Sequence, residues 1–167
     1  NIKEEFKQNN RAKLIMACGT GKTLTAIRLM DDVLKDNQIG IFLAPSISLV
    51  SQTMMNFFEQ SHKDFKGFVV CSDTKVGKNN EDIRVIDLPY PPTTNAQKLS
   101  YHIENCIKNN NRVIIFGTYQ SIDVVAEALK SIDKNAEIII CDEAHRTAGV
   151  SLETKEDSHF VKVHNDD

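Results

Sequence analysis

The sequence contains no C-x-x-C pair. Its four cysteines stand at 18, 71, 106 and 141, a spacing that offers neither a zinc site nor a dithiol redox motif. An excess of positive charge is also missing. Lys and Arg number 20 against 23 Asp and Glu, for a net charge of -3, which excludes a broadly basic surface and leaves only local patches as a basis for binding nucleic acid. No apolar run approaches the roughly 18 residues that would cross a membrane, and no secretory leader is recognisable. Repeats, low-complexity tracts and a linker dividing the chain are absent as well. Cysteines without a pairing pattern fit a reducing compartment, so the cytoplasm is the expected location and no membrane partner is expected.

What remains is a chain of 167 residues, 41% of them hydrophobic, enough for one domain with a core of its own. It begins at Asn1 and is expected to be an excerpt of something longer. Five apolar runs stand out: KLIMA (13–17), IGIFLA (39–44), FVVC (68–71), RVIIF (112–116) and EIIIC (137–141). They are continuous rather than alternating, as in strands covered on both faces. Cys71 and Cys141 end two of the runs and read as small buried residues. Helical spacing lies between the runs: Leu24, Ile27, Met30 and Leu34; Ile47, Val50, Met54, Phe57 and Phe58; Ala96, Leu99, Ile103 and Ile107; Ile122, Val125, Ala126 and Leu129. Strands alternating with helices predict βαβ units, a mainly parallel sheet and helices on both of its faces. The polar stretch 73–95 carries three of the four prolines and interrupts this rhythm. It reads as a surface excursion, with a ligand-facing loop as the alternative.

Two motifs carry chemistry. MACGTGKT (16–23) follows an apolar run and precedes a helical pattern. A phosphate-binding loop needs that order, because backbone amides of a tight turn and the N-terminus of a helix hold phosphate oxygens. Gly19 and Gly21 let the backbone approach the phosphates, Lys22 would reach the β- and γ-phosphates, and Thr23 would offer its hydroxyl to Mg²⁺. The usual pattern has glycine where Met16 stands. The second motif is IIICDEAHR (138–146), an apolar strand ending in adjacent carboxylates. A nucleotide hydrolase needs one acid for Mg²⁺ and another to orient and deprotonate water. Asp142 suits the first role and Glu143 the second. The pairing of these motifs in one alternating chain argues for a nucleotide site.

With both motifs in hand, the chain resembles the first motor domain of a superfamily 2 helicase or translocase. That family commonly reads its loop A-x-x-G-x-G-K-T, so the missing first glycine is a family habit. The match runs from Gly19 through Thr20, Gly21 and Lys22 to Thr23, and DEAH (142–145) stands as the second motif. LAPSISLVSQT (43–53) is similar to motif Ia and GTYQSI (117–122) to a later motif that contacts nucleic acid. These, with VCSD, CDEAHRTAGV and SHFVKVH, look like the helicase part of restriction enzymes that translocate on DNA, above all the single-polypeptide type ISP group, with relatives in types I and III. The resemblance implies a three-layer, RecA-like P-loop NTPase domain of α/β class over residues 1–167. It implies ATP and Mg²⁺ as cofactors, with Thr23 and Asp142 at the metal and catalysis by Glu143 and Lys22. His145 would couple the nucleotide to nucleic acid or to a second motor domain. Ser46, Ser48, Gln52, Thr118, Gln120 and Ser121 become candidates for contacts to strand phosphates, which position a strand without reading it; Thr93 and Thr94 are weaker ones. Tyr119 reads as a core or capping aromatic, with stacking on a base as the alternative. The implied partners are DNA, duplex by expectation, a second motor domain, and nuclease and methyltransferase parts of a longer protein.

The pattern departs from the family at both ends. NIKEEFKQNN (1–10) has no match to the upstream glutamine motif, so adenine preference rests on the family alone. Motif III has no counterpart, and in related folds its strand lies between those bearing the loop and DEAH. The sheet is therefore expected to be incomplete in this chain, and the chain alone to be inactive. An RNA helicase of the DEAH kind and a non-catalytic nucleotide-binding fragment remain the alternative readings. A transporter motor is disfavoured because its signature sequence is missing.

Overall fold

The computed structural model describes residues 14–17, 19–71 and 92–143. In chain order the elements are α1 (Lys22–Val33), β1 (Ile39–Ala44), α2 (Ile47–Gln60), β2 (Lys66–Val70), α3 (Ala96–Lys108), β3 (Val113–Thr118), a 3₁₀ turn (Tyr119–Ser121), α4 (Ile122–Ser131) and β4 (Ile138–Cys141). The strands form one parallel sheet in the order β2-β3-β1-β4. Parallel pairing requires crossovers, and helices supply them here.

All six residues of β1 and all six of β3 are buried, which explains why their runs are continuous rather than alternating. Side chains of alternate residues enter two cores. Ile39, Ile41, Leu43, Phe68, Val70, Val113 and Ile115 pack with Leu99 and Ile103 of α3 and Val125, Ala128 and Leu129 of α4. Phe42, Ala44, Val69, Ile114, Phe116 and Ile138 pack with Ala26, Ile27 and Met30 of α1, Leu34 just beyond it, and Val50, Met54 and Phe57 of α2. Three layers result, as the alternation predicts. Each large apolar side chain removed from water contributes about 1.5–3 kcal/mol, so these two clusters are the main source of cohesion. Ser46 caps α2 by accepting from Leu49 N (3.4 Å), and Asn95 caps α3 by accepting from Lys98 N (2.9 Å). Among the described residues no helix is long and apolar enough to cross a membrane.

Three expectations need correction. The run at 13–17 is not a strand where it is described: residues 14–17 join no ladder, and Leu14 and Ile15 are 49% and 83% exposed. Among the described residues no strand pairs with this segment, and apolar composition alone does not make a strand. Leu24, expected on the inner face of α1, is exposed, as is Phe58 of α2; the spacing marks the stripe but not its width. Cys141 is only half-buried; among the described residues β4 has a neighbour, β1, on one side alone. The excursion at 73–95 falls mostly outside the described residues; its end returns through Thr93, which bridges to Val70.

Candidate nucleotide site

The C-terminal ends of β1, β3 and β4 face the start of α1. Parallel sheets bind ligands at this edge, because helix N-termini gather there. The loop before α1 is closed by Thr20, whose hydroxyl donates to Ala17 O at 2.6 Å. Gly19 and Gly21 have φ of 76° and 88°. A β-carbon at either would meet nothing within 4 Å, so the backbone conformation, not crowding, demands glycine here. Gly21 is the N-cap of α1, and among the described residues no side-chain hydrogen bond caps that end. A helix N-terminus of this kind favours an anion. Lys22 and Thr23, half-buried, form the first turn.

The two acids follow β4 directly. Asp142 N donates to Leu43 O at 2.8 Å, continuing the ladder to β1 by one rung. Glu143 has φ of 55°. The other non-glycine residues with positive φ are Asn37, Asn110 and Asp133, types that tolerate the left-handed region; a glutamate does so at a cost of about 1–3 kcal/mol. Such strain persists only where the surroundings impose it. In this conformation Glu143 Oε1 accepts from Lys22 Nζ at 2.9 Å, with the two side chains 29% and 34% exposed. Asp142 Oδ1 accepts from Glu143 N at 3.0 Å.

Tyr119 has no exposed surface, and its hydroxyl donates to Asp142 O at 2.7 Å. The Cys141 thiol is hydrogen-bonded to the same hydroxyl. Burial first, then the neighbouring Cys141, drives the Tyr119 phenol far above its ordinary range. Burial pushes the Cys141 thiol up to about 11, against a smaller lowering by Tyr119. Tyr119 therefore stands in the core, away from any base.

The candidate strand contacts divide. Ser46, Ser48 and Gln52 are exposed around the N-terminal half of α2, and Gln120 is half-buried beyond β3. Thr118 and Ser121 differ from these: both are buried in this chain, and Ser121 donates its hydroxyl proton to Thr118 O at 2.7 Å, which holds the turn. Thr93 accepts from Asn95 N at 3.1 Å, and Thr94 is exposed. His145 and Cys18 lie outside the described residues, as do Lys75, Lys78, Arg84, His159 and His164.

One network escaped sequence reasoning. Arg112, 2% exposed, donates from Nη1 to Asp31 Oδ1 (3.3 Å) and from Nε and Nη2 to Asp64 O (3.2 Å each). Asp31 also accepts from Ser61 Oγ (2.7 Å) and His62 N (2.9 Å). The network pins the far end of α1 to the start of β3 and the end of α2. Its signal was an acid at 31, helically spaced between Ile27 and Leu34 on an apolar face.

A three-layer parallel domain with a glycine loop and an acid pair converging at one sheet edge is the architecture of a superfamily 2 first motor domain. The family model "Type III restriction enzyme, res subunit" matches residues 1–163, and the chain belongs to that family. It is similar to proteins described as "Probable helicase" from two isolates of African swine fever virus, each 27% identical over 159 residues. Among solved structures it is similar to the ATP-dependent type ISP restriction-modification enzyme LlaBIII bound to DNA (TM-score 0.78, 36% identity, 97% of this chain). A nuclease-deletion mutant of the type ISP enzyme LlaGI in complex with a DNA substrate mimic is similar too (TM-score 0.76, 31% identity, 97% of this chain). The chain spans 16% of the length of each viral relative and 11% and 15% of the two restriction enzymes.

Proposed function

We propose that the chain is the ATP-binding part of a motor that moves along duplex DNA, as the first motor domain of a longer restriction enzyme. The observation that carries this is the meeting of Lys22 Nζ and Glu143 Oε1 at 2.9 Å, from opposite ends of the described fold. It sets the base of a glycine loop and an acid turn around one space at the mouth of the sheet. ATP and Mg²⁺ fit the residues present. The uncapped start of α1 offers amides to phosphate oxygens. Among the described residues no group of three or more His, Cys, Asp or Glu could hold a metal alone. That suits Mg²⁺, which keeps several waters and takes one or two protein oxygens alongside substrate phosphates. Thr23 and Asp142 would hold it, and when bound it supplies charge neutralisation on the phosphates.

This chain's own residues then have separable tasks. Lys22 offsets charge on the terminal phosphate; Gly19, Thr20 and Gly21 shape the loop; Glu143 orients a water and accepts its proton. His145, next in the same motif, would relay the state of the nucleotide. Ser46, Ser48, Gln52 and Gln120 would touch strand phosphates. DNA is favoured over RNA because both solved relatives are described with DNA or a mimic of it. A further strand, from elsewhere in the longer protein, would lie against β4, whose Ile139 is 48% exposed.

The test is ATP turnover by the full-length protein with and without duplex DNA. DNA-stimulated hydrolysis that Glu143→Gln abolishes, with nucleotide binding retained, is the expected result. Normal turnover in that variant would refute the role given to Glu143.

A further inference from the structure

In the sheet order β2-β3-β1-β4, the strands β3 and β4 are not neighbours, since β1 lies between them. Tyr119 nevertheless joins their C-terminal ends. It leaves β3 in the 3₁₀ turn, fills the core beside Ile41, Leu43 and Val125, and reaches Asp142 O with its hydroxyl. That carbonyl and the amide of Glu143 belong to one planar peptide unit. The carbonyl is held by Tyr119 at 2.7 Å, and the amide is held by Asp142 Oδ1 at 3.0 Å. The unit before it is held by the bond from Asp142 N to Leu43 O. The orientation of the 142–143 peptide plane sets the axis about which Glu143 takes its left-handed φ of 55°.

We propose that Tyr119 is a positioning residue for Glu143: its hydroxyl, reaching past β1, clamps the 142–143 peptide so that the glutamate is held in its strained conformation facing Lys22. The turnover part of this inference rests on the nucleotide site proposed above; the clamp itself does not. The buried ring has no other place to go, so the phenol is a rigid strut and not a mobile contact. Removing the hydroxyl leaves Asp142 O without that donor and frees the peptide to flip, which relaxes the left-handed turn and swings the carboxylate away from the loop.

Tyr119→Phe in the full-length protein tests this with two readouts. Amide hydrogen exchange at Asp142 and Glu143 should accelerate at least tenfold, while Ile140 in the middle of β4 is unchanged. Turnover of ATP should fall about tenfold in kcat with KM within twofold. Ile115→Val, which thins the same core without approaching Asp142, should alter neither readout. Unchanged exchange overturns the proposal whether or not the protein hydrolyses ATP. An equally large loss of kcat in Ile115→Val overturns it too, since that marks general damage rather than action through Glu143. A lack of turnover in the unsubstituted protein would instead refute the proposed hydrolase, and the exchange rates would then decide the clamp.

Discussion

Lys22 Nζ and Glu143 Oε1 are 2.9 Å apart although 121 positions separate the two residues in the chain. The contact closes the fold at its functional edge: α1 starts there and β4 ends there. The pair is about one-third exposed on each side, so solvent screens it and its worth to stability is at most about 1 kcal/mol. Its significance is positional.

Lys22→Ala should therefore separate binding from folding. Affinity for a fluorescent ATP analogue is expected to drop tenfold or more, while the urea midpoint moves little. Unchanged affinity in a titration would remove Lys22 from the phosphate site.

Gly117 is a second test of the turn that carries Tyr119. A β-carbon there would sit 2.7 Å from Ser121 Oγ and 3.3 Å from Val70 O. Ser121 is buried and its hydroxyl is committed to Thr118 O, so it cannot swing aside. Gly117→Ala should destabilise by about 1–3 kcal/mol. Adding Ser121→Ala should recover part of that loss in chemical denaturation, and no recovery would mean the clash lies with the backbone of Val70.

The buried Arg112–Asp31 pair should behave unlike the exposed one. Asp31→Asn leaves a guanidinium in the core without its counter-charge and is expected to cost about 3–5 kcal/mol. Replacing both partners, Asp31→Leu with Arg112→Met, should cost clearly less, because no unpaired charge stays buried. Equal losses in the two variants by urea unfolding would contradict the ion-pair account.

Alkaline pH should weaken the fold through Cys141. Burial raises its thiol from the ordinary 9.0 to about 11 in the folded chain. The unfolded chain then releases this proton first, so the contribution is fully present below about pH 9 and is lost as pH rises towards 11. Unfolding measured in metal-free buffer at pH 8 and 10.5 should show a smaller alkaline loss in Cys141→Ala than in the parent; identical losses would show that the thiol is not protected.

The open side of β4 gives a fifth expectation. Ile139 is 48% exposed on a strand paired on one side only among the described residues, and apolar edges invite pairing between molecules. The chain of residues 1–167, prepared alone, should self-associate in sedimentation, and Ile139→Lys should reduce this. A strictly monomeric parent would show that the edge is covered.

How far the sequence alone carried can be judged from particular residues. The continuous apolar runs placed β1, β3 and β4 to within a residue or two, and FVVC placed the second half of β2; in β1 and β3, covered on both faces, no polar position confuses the limits. The residues Gly19 to Thr23, Asp142 and Glu143 were picked out as candidates by residue type and order, and the structure brings Lys22 and Glu143 into contact. Three things were not legible. The segment 14–17 has a strand's composition but no partner, and pairing is not a local property. Thr118 and Ser121 carry hydroxyls suited to phosphate, yet both are buried and Ser121 donates to Thr118 O, and burial depends on what packs above. Asp31 and Arg112 were not singled out, since nothing near either residue in the chain names the other as its partner.

Composition and spacing alone determined the class of fold and marked the candidate site, because hydrophobic periodicity and a glycine-rich turn before a helix are encoded by near neighbours in the chain. Tertiary structure alone decided that Lys22 meets Glu143, that Tyr119 bridges past β1 to hold the acid turn, and that Arg112 finds Asp31. Each of these joins residues from distant segments, and only the sheet order and the two-sided packing of helices determine which distant residues become neighbours.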